Sequence, residues 1–135
     1  MEEIRKDSPT CCKDNFRLVL CIVSSKSWTI HSVDVKSAFL QGKGINRDIY
    51  LKPPKEAETL KLWKLRTTVY GLCDAPRVWY LSVKEVLLES GAKKSKFDNS
   101  VFYWYKNNEL QGLIYCHVDD FFWGGTKDFE TNVVD

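Results

Sequence analysis

Val101-Phe102-Tyr103-Trp104-Tyr105 and Leu113-Ile114-Tyr115-Cys116-His117-Val118 are two aromatic and β-branched runs, and Lys106-Asn107-Asn108-Glu109 stands between them. Such runs around a short polar segment predict two strands joined as a hairpin. Asp119-Asp120 follows at once, then Phe121-Phe122-Trp123, a further strand punctuated by Gly124-Gly125. Apolar runs on both sides of the acids imply strands covered by other layers, so the two carboxylates occupy the tip of a largely buried hairpin. The plain alternative for the pair is a polar turn capped by its own backbone.

Outward from this core, Ala75 opens a helical pattern in which Trp79, Val83, Val86 and Leu87 repeat on one face before a stop at Gly91. Upstream, Lys61 to Val69 reads as extended, and Ile49-Tyr50-Leu51-Lys52 as a short strand stopped by Pro53-Pro54. Thr29 to Lys36 alternates, with Val33 and Val35 on one face and Ser32, Asp34 and Lys36 on the other. That is a half-buried strand, and it turns Asp34 away from the apolar layer. Gly42 and Gly44 close the short segment after it. Ser8-Pro9-Thr10 reads as a helix approach and Phe16 to Ser25 as an apolar helix, although the unbroken run Leu18 to Val23 fits a strand equally well. A last helix is expected to begin near Lys127, and a chain that halts there reads as a piece of something longer. With no internal repeat or linker, these elements predict one α+β domain with mixed or antiparallel strands.

The 135 residues suffice for one ordinary core, and 44% hydrophobic with 28% charged content excludes a disordered tail. The net charge of +2 permits a nucleic-acid partner without demanding one. Phosphate contacts would have to come from local patches, either Lys93, Lys94 and Lys96 or Lys61, Lys64 and Arg66; each patch taken alone is more readily a set of solvated surface lysines. The five cysteines, Cys11, Cys12, Cys21, Cys73 and Cys116, form no C-x-x-C pair and read as small buried hydrophobes or surface thiols in a reducing compartment. The charged start, Met1 to Lys6, leads into no apolar segment of signal-peptide type, and no apolar run is long enough for a membrane span.

The chemistry is carried by adding Asp34 to the pair. An aspartate inside a strand is disfavoured and has no turn role to explain it. Three acids on one sheet repel each other unless a cation neutralises them. Oxygen-only ligands suit Mg²⁺, and two such ions roughly 4 Å apart can hold both oxygens of a phosphoryl transfer in line. The residues by themselves therefore point to a nucleotidyl transferase.

Ser32-Val33-Asp34-Val35-Lys36-Ser37-Ala38-Phe39-Leu40-Gln41-Gly42 resembles the first catalytic motif of copia-type LTR-retrotransposon reverse transcriptases. Val69-Tyr70-Gly71-Leu72-Cys73-Asp74-Ala75-Pro76-Arg77-Val78-Trp79-Tyr80 resembles their second, and Cys116-His117-Val118-Asp119-Asp120 their third. The lead-in Asp7 to Thr10 and the segment Ile49 to Pro54 resemble the family as well, so the likeness runs from about residue 7 to the end.

The resemblance implies a polymerase-palm fold: an antiparallel sheet packed on helices with part of the fingers and no thumb, filling residues 1–135 and truncated at both ends. It implies that Asp34, Asp119 and Asp120 bind two Mg²⁺ ions (Mn²⁺ as a substitute) with help from the Val35 carbonyl. Backbone amides of Lys36, Ser37 and Ala38 would face the triphosphate. Phe39 would lie under the incoming sugar and exclude a ribose 2′-hydroxyl; without the family it is an ordinary core aromatic. Gly71 and Asp74, with Ala75 and Pro76, would form the bend and helix start against the nucleotide. His117 would contact the primer end, a lone strand histidine being otherwise structural, and Arg77 would reach a phosphate or equally pair with a surface acid, while Trp79 and Tyr80 read as core. Two positions depart from the pattern: Asp74 stands where Gln or Asn is frequent, and His117 where Tyr is frequent.

The implied partners are an RNA template, a DNA or RNA primer, a deoxynucleoside triphosphate and the remaining Pol segments: fingers, thumb and RNase H. No membrane is implied, and the setting is a cytoplasmic virus-like particle, with the nucleus as the alternative. Without those segments the chain is expected to be weak or inactive. The rival readings are a non-catalytic transposon remnant, and a plain α+β interaction domain whose acids are surface residues.

Overall fold

The computed structural model describes Ser8, Pro9 and residues 12–134. Asp7 and Thr10 of the lead-in and Cys11 lie outside the described residues. Elements run in the order α1 (Lys13–Ser25), β1 (His31–Asp34), α2 (Ala38–Gln41), β2 (Tyr50–Leu51), β3 (Trp63–Lys64), α3 (Ala75–Glu89), β4 (Lys93–Lys94), β5 (Val101–Lys106), β6 (Glu109–His117), β7 (Asp120–Gly125) and α4 (Lys127–Phe129), which continues as a π-helical turn, Glu130–Val134. Five strands form one sheet in the order β1-β7-β6-β5-β4, every neighbour antiparallel. The chain is thus a mixed helix-and-sheet fold around an antiparallel sheet, and β2 pairs β3 in a separate ribbon.

The β5–β6 hairpin closes on Asn107 and Asn108, with φ of 51° and 63°. Two consecutive positive φ angles define the type I′ turn that matches strand twist, and asparagine tolerates that region well. From Gly112 to Cys116 every residue of β6 is buried, because its two faces serve two layers. Leu113 and Tyr115 pack against Val19 and Val23 of α1. Ile114 and Cys116 face the other way, into a cluster with Phe102, Trp104, Trp123 and Phe129, against which Tyr80, Val83 and Leu87 of α3 pack. Alternating side chains of a central strand thereby fill the cores on both sides of the sheet.

Three sequence expectations need correction. Val33 is 50% exposed. It has the expected parity, but β1 is an edge strand, and Val33 lacks a neighbouring strand on one side. Val86 is 63% exposed, since α3 turns Trp79, Tyr80, Val83 and Leu87 toward the core and leaves Val86 off that face. The extended stretch from Lys61 to Val69 contains only the two-residue strand β3 and an isolated bridge from Thr67 to Gly44. The run Leu18 to Val23 resolves as helix, within α1.

Candidate active site at the β6–β7 turn

Asp34 ends β1 and Asp120 begins β7, and the register sets these two residues directly opposite each other. On the other side of β7, Asp120 is opposite His117 of β6. Directly paired residues project to the same side of an antiparallel sheet. Asp34, Asp120 and His117 therefore form a row across three strands at one end of the sheet, on the face that carries α1. All three are exposed. Asp119 joins them through the backbone, because its carbonyl accepts a hydrogen bond from the Val35 amide at 3.0 Å. The side chains do not converge: among the described residues, no three His, Cys, Asp or Glu groups are gathered closely enough to hold a metal ion.

Between His117 and Asp120 the turn has two residues, Val118 and Asp119, and Val118 takes φ of 56°. A β-branched residue in that left-handed region is strained. The carbonyl of Val118 accepts the indole N–H of Trp79 at 2.7 Å, which ties the turn to α3. Beneath it lies a cluster of Ala38, Phe39, Ala75 and Trp79, joined by Val35, Leu72, Val118 and Phe121. All three sequence motifs contribute to this one cluster. Ala38 and Ala75 are wholly buried, and their small side chains let α2 and α3 approach closely.

A sequence profile described as "Reverse transcriptase (RNA-dependent DNA polymerase)" matches residues 3–133. The chain belongs to the reverse transcriptase family. The chain is 33% identical over 117 residues to the retrovirus-related Pol polyprotein from transposon RE1 of Arabidopsis thaliana, an overlap of 84% of this chain and 8% of that protein. It is 32% identical to the Pol polyprotein from transposon RE2 of the same plant, with the same shares covered. The Pol polyprotein from transposon TNT 1-94 of Nicotiana tabacum is 30% identical across 84% of this chain and 9% of its own length. The chain thus spans under a tenth of the curated relatives it matches. No solved structure matches it. These relatives support the copia-type retrotransposon resemblance drawn from the three motifs.

The remaining motif residues lie in the turn after β1, on α2, and at the approach to and first turn of α3. Lys36 and Ser37 form an exposed turn after Asp34, with Ser37 at φ 56°, and the Lys36 carbonyl accepts the Gln41 side-chain amide at 2.7 Å. The Phe39 ring is 8% exposed and packs on Tyr70, centroids 4.5 Å apart. Gly71 is exposed at φ 98°, a conformation that favours glycine. Asp74 stands at the start of α3 and is paired with Arg47 at 2.7 Å, its side chain 13% exposed. Arg77 follows in the first turn of α3 and is half-buried.

Sequence reasoning missed three of these features. Arg47, the partner of Asp74, stands in a loop with no motif around it. Thr68, fully buried, donates to the Phe39 carbonyl at 2.6 Å and fixes the end of the first motif. Trp79 reads as core from its spacing, but the indole N–H of a buried tryptophan usually finds an acceptor. That need was the one signal available. Of the lysine patches, Lys93 and Lys94 form the opposite edge strand of the sheet from β1, and Lys64 of the other is paired with Asp48 at 2.6 Å.

Proposed function

We propose that this chain is the palm of an RNA-directed DNA polymerase, with Asp34, Asp119 and Asp120 as its metal-binding acids. The single observation that carries this reading is the β1–β7 register, which pairs Asp34 with Asp120 while Val35 bonds Asp119. The donor set is all oxygen and fits Mg²⁺, with Mn²⁺ as a substitute. Two such ions, when bound, supply the charge that draws the primer 3′-hydroxyl and the α-phosphate together. Asp34, Asp119 and Asp120 would hold the ions by turning inward, a rotamer change that the exposed side chains of Asp34 and Asp120 can make rapidly. The Val35 carbonyl adds a further oxygen.

The turn at Lys36, Ser37 and Ala38 offers amides to the triphosphate. Phe39, braced by Tyr70, is the floor beneath the sugar and excludes a 2′-hydroxyl. Gly71 and Asp74 face the nucleotide, and Arg47 holds the Asp74 carboxylate so that it does not repel the phosphates. Arg77 reaches the backbone of the nucleic acid, and His117, in line with Asp34 and Asp120, contacts the primer end. The partners are an RNA template, a DNA or RNA primer, a deoxynucleoside triphosphate and the other Pol segments, within a cytoplasmic particle or the nucleus.

The test is a Mn²⁺ titration of the chain and its Asp34→Asn variant, followed by electron paramagnetic resonance. Mn²⁺ bound by the first and lost at least tenfold in affinity by the second is the expected result. Equal affinity in the two proteins excludes Asp34 from the metal site and the reading with it.

A further inference from the structure

We propose that Trp79 is a positioning residue for the metal-site turn, acting through its indole N–H rather than through its bulk alone. This inference rests on the polymerase reading for its functional consequence, though not for its geometry. Two-residue hairpin turns with positive φ only at the first central position are usually built on glycine there. Here that position is Val118, at φ 56°, and Asp119 after it is not among the residues of positive φ. The valine side chain is retained by the Ala38–Phe39–Ala75–Trp79 cluster, so the turn gains packing and carries backbone strain.

The peptide joining Val118 to Asp119 is the part of such a turn that can flip. One hydrogen bond restrains it directly, at its own carbonyl, and a second holds the peptide that follows, at the Asp119 carbonyl. The Val118 carbonyl accepts from Trp79 Nε1 at 2.7 Å, and the Asp119 carbonyl accepts from the Val35 amide at 3.0 Å. Trp79 is 8% exposed and sits on the second turn of α3, which is anchored to α2 through Ala75 and Ala38. Its indole is therefore fixed before it meets the turn, and it sets which way the Asp119 backbone faces. The consequence is that α3, whose first residues follow Asp74, is mechanically linked to the acid pair.

Trp79→Phe separates the two roles, since it keeps an aromatic ring in the cluster and removes the donor. Amide hydrogen exchange reads the turn directly. In Trp79→Phe the Val35 amide should exchange faster by on the order of tenfold, the size of one neutral hydrogen bond. The Cys116 amide, bonded to the Ser100 carbonyl at 2.8 Å within the same sheet, should keep its protection and so report an intact fold. Unchanged Val35 exchange overturns the inference whatever the metal does, and so does an equal loss at Cys116, which makes Trp79 ordinary core. The functional half is read from Mn²⁺ affinity: Trp79→Phe should weaken it, with Val118→Gly in the same background restoring part by relieving the left-handed strain. If Asp34→Asn abolishes Mn²⁺ binding and Trp79→Phe leaves it unchanged, the positioning role fails while the metal site stands. If the parent chain binds no Mn²⁺ but Val35 responds as expected, the polymerase reading fails and the tether survives.

Discussion

Cys116 lies three residues before Asp119, yet burial removes it from the chemistry. Desolvation pushes its thiol up from 9.0 to about 12, so the nucleophilic thiolate is absent near neutrality. Cys12, Cys21 and Cys73 are exposed free thiols. Ellman's reagent should therefore modify these three in the folded protein and spare Cys116, which mass spectrometry of the labelled peptides will show. The same shift couples to stability. The unfolded thiol ionises above pH 9 and the folded one does not, so stability is complete below pH 9 and falls as pH rises toward 12, by up to about 1.4 kcal/mol per pH unit. A urea midpoint that stays level across that window in wild type would contradict the assignment. The candidate acids were legible from local sequence, because an aspartate in a strand and a carboxylate pair between apolar runs are each anomalous where they stand. Arg47 was not, because its meaning depends on a loop folding back to Asp74, and nothing near it in sequence signals that return.

Strands and turns followed the sequence where polarity alternated and failed where it did not. The β5–β6 hairpin was marked by its two asparagines, and β7 by its aromatic run and closing glycines. β4 escaped notice because Lys93-Lys94 has no apolar face; lysines are what an edge strand carries to discourage further pairing. Nor does any local pattern state that β1 pairs with β7, since register between distant segments is settled by which faces must be buried. The end of the chain adds a contact of its own. Gly112 and Gly125 are opposite each other in β6 and β7, and a Cβ on either would overlap the Phe129 ring. The two glycines form the seat that lets α4 dock against the sheet. Phe129→Ala should lower stability by roughly 3–5 kcal/mol, seen as a lower urea midpoint with little change in slope. A loss under 1 kcal/mol would mean that α4 is not part of the cooperative core.

At the scale of the molecule, charge is dispersed rather than massed. A net +2 over 135 residues gives weak steering toward a polyanion, and the lysines of β4 stand at the far edge from Asp34. The chain also corresponds to 8% of the Pol polyproteins from RE1 and RE2. We therefore expect little primer extension from these residues alone with Mg²⁺ or Mn²⁺, and extension that depends on Asp34 when neighbouring Pol sequence is supplied on the same chain. Vigorous synthesis by the 135 residues alone would refute that expectation. The strand β6 sets a different kind of limit, on the gene rather than the enzyme. Because apolar cover lies on both of its sides, one codon gained or lost between 112 and 116 would exchange the inhabitants of the two layers and carry the acid pair out of line with Asp34. The same lesion between 52 and 62 would only lengthen or shorten a loop, so a decaying copy of this sequence can drift freely in one place and hardly at all in the other.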